Sequence, residues 1–418
     1  MLRSALLAIL AAALLLAAAS ARALHPELAL VHARVYPAPD TAPLTNATIL
    51  LRDGHIVSIS EAAANTAPPL PPGAAVLDCT GMTVTAGLWN SHVHILPFNL
   101  LHAAQKTGPQ LTAALQEMLT RWGFTTVFDI ASVLDNTNNI RARIASGEVL
   151  GPRILTTGEP FFPEHGVPIY VQKYLADNHI VLPDDPDIAA AVARVSRQIH
   201  DGADAVKIFA GSSQADRVLL MPLDRAKAIV QEAHRLHRPV FAHPGNVAGM
   251  DVAIDSGVDV LAHVTSEDSQ PWTPAIVDRL LSAHMALIPT LTLFDVEAHR
   301  QHLSPETTTK FIDLTVARLR AYHDAGGQIL FGTDVGYIYQ FDTAEEYTLM
   351  QRAGMTFPQI LASLTVNPAS RFGFASHTGR IVPNFDADLT VFAADPAADI
   401  TALARVKYTI RAGKLIYQ

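Results

Sequence analysis

The chain has 418 residues, of which 49% are hydrophobic, enough for a large α/β domain with a smaller companion. Its formal net charge of −9 leaves no basic face to meet phosphates, so we expect no nucleic-acid partner. The single cysteine, Cys79, excludes an internal disulfide and a thiolate metal cluster. Any metal ion must therefore be held by histidine, carboxylate or lysine-derived ligands.

The first two dozen residues have the pattern of a secretory signal peptide. Arg3 supplies a positive start, residues 5–19 form an unbroken apolar run, and Ala21-Arg22-Ala23 offers a cleavage site. We therefore predict a signal peptide over 1–23 and a periplasmic or secreted mature protein with no stable membrane insertion. An uncleaved membrane anchor is the alternative, although the apolar run is short for a bilayer span.

Both ends of the remaining chain have the pattern of short alternating strands separated by turn residues. Asp53-Gly54 lies between two apolar runs, which is a strong hairpin signal. The predicted strands are 28–35, 47–52, 55–59, 75–77, 388–392, 406–411 and 414–417. We expect segments 24–88 and 376–418 to form one small β-sandwich domain together.

The middle of the chain, 89–375, alternates short apolar strands with amphipathic helices, of which 224–236 is the clearest. The predicted strands are 88–94, 125–130, 153–157, 205–210, 240–243, 260–264, 286–291 and 329–334. Right-handed crossovers between eight parallel strands close most simply into a (β/α)8 TIM barrel. An open doubly wound sheet is the alternative, but the Gly-rich phosphate loop expected after its first strand is missing from this sequence.

Polar side chains lie in or at the ends of five of the predicted barrel strands. They are His92, His94, Lys207, His243, His263 and Asp334. Residues two apart in a strand face the same way, so the first two imidazoles point into one space. Barrel enzymes build their active sites at the C-terminal ends of the strands. The sequence therefore predicts that these side chains converge on one pocket.

These residues and the motifs around them resemble the amidohydrolase superfamily. Within it they resemble the binuclear branch with a carboxylated lysine, and most of all the imidazolonepropionase/prolidase-like group, whose members include dipeptide hydrolases. The matching motifs are 77–94, 202–208, 257–263, 331–334, 365–369, 379–381 and 387–389. The likeness covers nearly the whole chain after the predicted signal peptide.

The resemblance implies two divalent metal ions, preferably Zn2+, with Mn2+, Co2+ or Fe2+ as alternatives. One ion would be held by His92, His94 and Asp334, and the other by His243 and His263. Lys207 would bridge the two ions as a carbamate made from carbon dioxide.

The resemblance also implies an amidohydrolase that cleaves a C–N bond, amide or peptide-like, in a small-molecule substrate. A dipeptide or an N-acyl amino acid would be such a substrate. A metal-bridging hydroxide would attack the carbonyl, and Asp334 would serve as the catalytic proton shuttle. His165, in the loop after the third barrel strand, matches a family position near the substrate and is predicted to contact it.

One departure from the family pattern and several alternatives stay open at this point. Asn90 stands where the family usually has an acid, so any orienting role there must be uncharged. A mononuclear deaminase is less favoured because Pro244-Gly245-Asn246, after His243, supplies no acid. A lactonase or phosphotriesterase could use the same centre, and a non-catalytic metal-binding protein is the least favoured. Substrate identity and the formation of a homo-oligomer are left undetermined.

Overall fold

The computed structural model describes residues 27–62, 70–183 and 185–418, so the predicted signal peptide lies outside the described residues. The strands are β1 (Leu28–Tyr36), β2 (Leu44–Arg52), β3 (His55–Glu61), β4 (Ala75–Asp78), β5 (Thr83–Ala86), β6 (Leu88–Val93), β7 (Phe124–Asp129), β8 (Arg153–Thr156), β9 (Val206–Phe209), β10 (Gly211–Ser213), β11 (Val218–Leu220), β12 (Val240–His243), β13 (Val260–Ala262), β14 (Ala286–Ile288), β15 (Leu389–Phe392), β16 (Val406–Arg411) and β17 (Lys414–Tyr417).

The α-helices fall almost entirely in the middle of the chain, which gives a mixed α/β fold. They are α1 (Gly108–Met118), α2 (Leu134–Ala145), α3 (Ile169–Asp177), α4 (Ile188–His200), α5 (Leu223–Arg235), α6 (Val247–Ser256), α7 (Pro274–Ser282), α8 (Leu291–Arg300), α9 (Pro305–Asp324), α10 (Ala344–Arg352), α11 (Phe357–Leu364) and α12 (Val366–Arg371). Helix α5 corresponds to the amphipathic helix predicted from the sequence. In the described part of the chain, no helix combines the length and the apolarity that crossing a membrane requires.

Strands from both ends of the chain form one eight-stranded sheet. Its order is β17-β16-β15-β5-β1-β2-β3, and β4 adds beside β1. The Asp53-Gly54 turn joins β2 to β3 in antiparallel register, as predicted, with Arg52 opposite His55. The two ends of the chain therefore meet in a single element of structure.

The sequence predicts a small β-sandwich from these segments, and the structure joins their strands in one hydrogen-bonded sheet through β1. Its first half pairs with β4 over 28–31 and its second half with β5 over 34–36. The register against β2 shifts between Leu30 and Ala33, where His32 has a φ of 59°. A bulge of this kind bends a strand, so one sheet can enclose one apolar core.

Apart from the short antiparallel pair β10-β11, the strands of the middle region that the structure describes pair in parallel. Strands β6-β7-β8 form one sheet and β9-β12-β13-β14 form another. Isolated bridges join Phe161 to Ile208, Leu287 to Ile329, and Val93 to Val335. On one side the two sheets are connected through Phe161, which follows β8, and on the other side through the segment 329–335.

The eighth predicted strand, 329–334, is irregular rather than a ladder strand. A regular strand needs extended backbone, whereas Asp334 has a φ of 61° in the left-handed region. The segment still hydrogen-bonds to β6, because Ser91 N donates to Phe331 O (2.7 Å) and Asp334 N donates to His92 O (2.9 Å). It therefore delivers Asp334 to the end of β6.

Buried side chains from the parallel strands and the segments beside them meet in one inner cluster. Its members are Trp89, Phe128, Ile130, Leu155, Ala205, Phe241, Val260, Ala262, Ala286, Ile288 and Leu330. Close packing of this cluster fixes the positions of the strands relative to one another. The polar ends of those strands are thereby held at defined separations.

Candidate metal centre

His92 and His94 lie at the end of β6 and present their rings to the same space. Their Nε2 atoms are 3.2 Å apart. Asp334 Oδ1 lies 3.1 Å from His92 Nε2 and 2.8 Å from His94 Nε2. One ligand atom from each of the three residues can be chosen so that all lie within 4.8 Å of one another. The three side chains therefore form a compact group that could hold one ion.

The two remaining histidines continue this group from β12 and β13. The ring centroids of His92 and His263 are 4.6 Å apart, and those of His263 and His243 are 4.9 Å apart. Lys207 lies in β9, and its Nζ is 5.6 Å from the centroid of the Phe209 ring, which stacks on His243. All six predicted ligands line one cavity of about 420 Å³. The structure brings them together as expected, and their role as ligands stays a prediction.

Burial sets the protonation state of these groups. Loss of solvent lowers the pKa of His92 and of His243 to about 3, and that of His263 well below its ordinary value. Burial also lowers the pKa of Lys207 to about 7, although the nearby Asp334 opposes this shift. The imidazoles are therefore neutral at neutral pH, which is the form that binds metal.

Asp334 stays ionised in this setting. Burial alone would raise the pKa of its carboxyl group, but hydrogen bonding and electrostatic interaction with His92 and His94 lower that pKa well below its usual value. Imidazole nitrogens and a carboxylate oxygen that converge at this spacing are a donor set that Zn2+ accepts. The residues present therefore fit a divalent metal ion.

Two of the predicted ligands have strained backbone. His263 has a φ of 78° and Asp334 a φ of 61°, and a side chain in the left-handed region costs about 1–3 kcal/mol. Such strain persists only where the surroundings fix the conformation. Gly336, with a φ of 102°, contributes to this fixation, because a Cβ there would overlap the carbonyl oxygen of His94.

Thr290 orients the His263 ring from behind. Its Oγ1 lies 2.6 Å from His263 Nδ1 and donates to Pro289 O at 2.8 Å. The threonine oxygen therefore accepts from Nδ1–H, which leaves Nε2 with a free lone pair. Glu346 of α10 in turn accepts the backbone N–H groups of Leu291 (2.9 Å) and Thr292 (2.7 Å) at the start of α8.

Asn90 connects β6 to the segment that carries Asp334. Its Nδ2 donates to Thr333 Oγ1 at 2.7 Å, and its Oδ1 accepts from His92 N at 3.2 Å. These are contacts to a hydroxyl and to backbone, so the side chain positions two ligands without carrying a charge. The absence of an acid at this position is compatible with an intact centre.

Asp129, at the end of β7, is a site residue that the sequence analysis missed. It accepts hydrogen bonds from Ile95 N (3.1 Å), Thr137 Oγ1 (2.8 Å), Thr156 Oγ1 (3.1 Å) and Ser132 Oγ. Because Ile95 directly follows His94, this carboxylate fixes the chain just beyond the ligand pair. An acid that closes a predicted apolar strand was the signal that could have revealed it.

His165 lies apart from the other predicted site residues, and its contact with a substrate stays a prediction. Its side chain is 90% exposed and does not line the cavity. A turn in which Gly166 N donates to Pro163 O, with a φ of 53° at His165, directs the ring outward. Tyr170, which the sequence analysis does not single out, lines the cavity.

Tyr170 of α3 belongs to the lining of the cavity that holds the candidate ligands. Its ring lies 5.3 Å from that of Tyr337, and no hydrogen-bond partner for its hydroxyl is found among the described residues. Burial raises the pKa of Tyr170 well above its ordinary value, and the charge of Asp334 adds to the shift. The hydroxyl therefore keeps its proton and can donate it in a hydrogen bond.

Together, the parallel α/β fold and the gathered histidine, aspartate and lysine side chains define a hydrolase class. A family model described as the amidohydrolase family matches residues 83–416, so the chain belongs to the amidohydrolase family. It is therefore an enzyme of the amidohydrolase type, which acts on carbon–nitrogen bonds.

Characterised and solved proteins resemble the chain over nearly its whole length. Ochratoxinase from Aspergillus niger is 24% identical over 433 aligned positions, covering 93% of this chain and 86% of that protein. A prolidase candidate from Bifidobacterium longum has 25% identity and a TM-score of 0.77, covering 94% of this chain and 95% of that one. A Xaa-Pro dipeptidase with bound methionine has 21% identity and a TM-score of 0.76, covering 94% and 100%.

Proposed function

We propose that this enzyme uses two divalent metal ions to hydrolyse an amide or peptide-like C–N bond in a small substrate. The observation that carries the proposal is the convergence of four histidines, Lys207 and Asp334 on one cavity. The similarity to an ochratoxinase and to prolidases supports the same bond type.

We further propose that the parallel strands form a closed (β/α)8 barrel. Three isolated bridges complete a circuit through both sheets and the segment 329–335, and side chains from around this circuit share one inner core. In this arrangement 89–375 is the barrel domain, while 24–88 and 376–418 make the second domain. All six proposed ligands then lie at the C-terminal end of the barrel.

His92, His94 and Asp334 would hold one ion, and His243 and His263 the other. Lys207 would serve both ions as a carbamate, formed when its neutral amine adds to carbon dioxide and loses a proton. This modification replaces a cation that would repel two dications with an anionic group that has two oxygen donors. When bound, the ions supply an acidified water and polarise the substrate carbonyl.

The chain's own side chains would manage protons and orientation. Asp334, ionised and at the cavity surface, would take a proton from the attacking water and deliver it to the leaving amine. Tyr170 would donate a hydrogen bond to an oxygen of the substrate. The buried walls of the cavity exclude bulk water and so strengthen these interactions.

Asp334→Asn tests this function most directly. We expect two metal ions per wild-type chain and amine release from a panel of dipeptides, N-acyl amino acids and anilides. Loss of the proton shuttle should lower kcat about 10²–10⁴-fold. Metal content is measured by mass spectrometry of the ions and turnover by amine release, with circular dichroism as the check on folding. Near-normal turnover of the variant with both ions bound would refute the role of Asp334.

A further inference from the structure

The cavity beyond the metal centre has two facing apolar walls. Val171, Tyr174 and Leu175 of α3 line one side. Leu293 and Phe294 of α8, together with Phe311 of α9, line the other. A volume of about 420 Å³ between such walls suits a molecule with a bulky apolar body. The driving force for binding would be removal of that body from water.

The cavity lining also includes two acids that lie outside these helices, Glu159 and Glu267. Glu159 Oε1 accepts from Leu134 N at 3.2 Å, and Glu267 Oε1 accepts from Ser213 Oγ at 2.8 Å. These donors are neutral, and among the described residues neither carboxylate is in an ion pair. Arg194, which does not line the cavity, interacts electrostatically with Glu159 and offsets part of its charge, whereas Glu267 presents its negative charge to whatever enters the cavity.

Positive charge is scarce around the same cavity. Among the described residues that line it, Lys207 is the only lysine or arginine, and it belongs to the metal centre. Arg300 lies beside the lining, but its NH1 donates to Glu297 Oε1 at 2.6 Å and its guanidinium covers the Tyr337 ring at 5.0 Å. Away from the proposed metal centre, a substrate carboxylate would therefore meet acids without a free lysine or arginine, and such like-charge contacts are costly.

In place of a free cation, the cavity offers neutral polar groups. Tyr337 already donates to Glu297 Oε1 at 2.9 Å. The Tyr170 hydroxyl, by contrast, has no partner among the described residues and can meet an uncharged polar group.

We propose that the substrate of this site is an uncharged amide with an aryl-sized apolar group, and that it carries no free carboxylate. The inference rests on the proposed amide hydrolysis and narrows it. In the reaction, water adds to the carbonyl, the C–N bond breaks, and the proton passes to the departing aryl amine. The products are a carboxylic acid and an aniline.

Two matched anilides test the proposal on the metal-loaded enzyme. They are 3-phenylpropionyl anilides with either a carboxamide or a carboxylate in the para position, so they differ mainly in one charge. We expect kcat/KM for the carboxamide to exceed that for the carboxylate at least about tenfold at pH 7.5. Equal values, or a preference for the carboxylate, would overturn the inference.

Variants of the two glutamates test whether the cavity lining determines the ratio of these kcat/KM values. Combining Glu159→Gln with Glu267→Gln should reduce the ratio of the two kcat/KM values several-fold, because kcat/KM for the carboxylate substrate rises. If the double variant does not fold, the single variant Glu267→Gln, at an exposed position, should change the ratio in the same direction. Glu306→Gln is the matched control, because Glu306 is exposed on α9 and pairs with Lys310. An unchanged ratio in Glu267→Gln would count against the proposal.

The dipeptide Ala-Pro separates failure of this inference from failure of the proposed function. Hydrolysis of the dipeptide without hydrolysis of either anilide would overturn the inference and leave amide hydrolysis standing. No hydrolysis of any of the three compounds, with two ions bound per chain, would overturn both.

Discussion

Thr290 is one of the residues that support the candidate metal centre without belonging to its ligand set. Its hydroxyl bonds His263 Nδ1 on one side and Pro289 O on the other. Its own φ of 48° is unusual for a β-branched residue and is held by the start of α8. A group of this kind fixes the tautomer and the direction of a ligand without touching the ion.

Thr290→Val should therefore weaken metal binding with little change in shape. We expect the affinity for the more weakly held ion to fall about 10–100-fold, measured by competition with a chromogenic chelator. Thr126→Val is the matched control, because Thr126 is buried in β7 and its hydroxyl has no partner among the described residues. Equal affinities in the two variants would show that Thr290 only fills space.

At the scale of elements, the parallel strands position the histidines, and the helix that follows β14 supports one of them. The strands deliver His92, His94, His243 and His263 to one cavity because each histidine lies at or directly after the end of its strand. Helix α8 then holds Thr290, and Glu346 of α10 caps the beginning of α8. The cap is unusual because a buried carboxyl group from another helix supplies it.

Glu346 makes the stability of the protein depend on pH. Burial raises its pKa from 4.5 to about 7, although two backbone N–H donors oppose the shift, and the adjacent Glu345 adds to it. Because the pKa of Glu346 is higher in the folded state than in the unfolded state, its protonation stabilises the fold. This contribution is complete below the unfolded-state pKa and is lost as the pH rises through the folded-state pKa. The affected window therefore runs from pH 4.5 to about 7.

Glu346→Gln should remove that slope. Between pH 4.5 and pH 8, the free energy of unfolding of the wild type should fall by about 3 kcal/mol relative to the variant. Urea titrations at several pH values measure the difference, and the exposed Glu306→Gln serves as control. Parallel pH profiles for wild type and Glu346→Gln would contradict the assignment.

At the scale of the whole molecule, a dry inner core lies among the strands and a polar cluster lies at their ends. The core fixes the strand positions, so the cluster keeps its geometry even though several of its members are costly to bury. An ion that binds the folded chain more tightly than the unfolded chain would stabilise the whole fold.

Removal of metal should therefore lower Tm. With free ion at about 100 times its Kd, the binding contribution is about 2.7 kcal/mol, so chelation should lower Tm by a few degrees. Differential scanning calorimetry before chelation, after it and after return of Zn2+ measures the change. The Asp334→Asn variant should show a smaller shift, and identical curves with and without ion would contradict the proposed site.

Much of the fold follows from local patterns. The apolar runs predict the parallel strands of the middle region, although 329–334 lacks regular ladder pairing and the short strands β10 and β11 were not predicted. Asp53-Gly54 predicts the β2–β3 hairpin. The continuity of the terminal sheet could not be predicted in this way, because it depends on a bulge near His32 that the local sequence does not indicate.

The sequence by itself determined which ionisable side chains end neighbouring strands, since strand periodicity and polar termination are properties of a few consecutive residues. Only the tertiary structure decided that His165 turns outward, that Tyr170 enters the cavity, and that Glu346 supports the helix behind His263. Those outcomes depend on loop backbone angles and on contacts between residues far apart in the chain. Neither the loop angles nor these long-range contacts can be predicted from a few consecutive residues of the sequence.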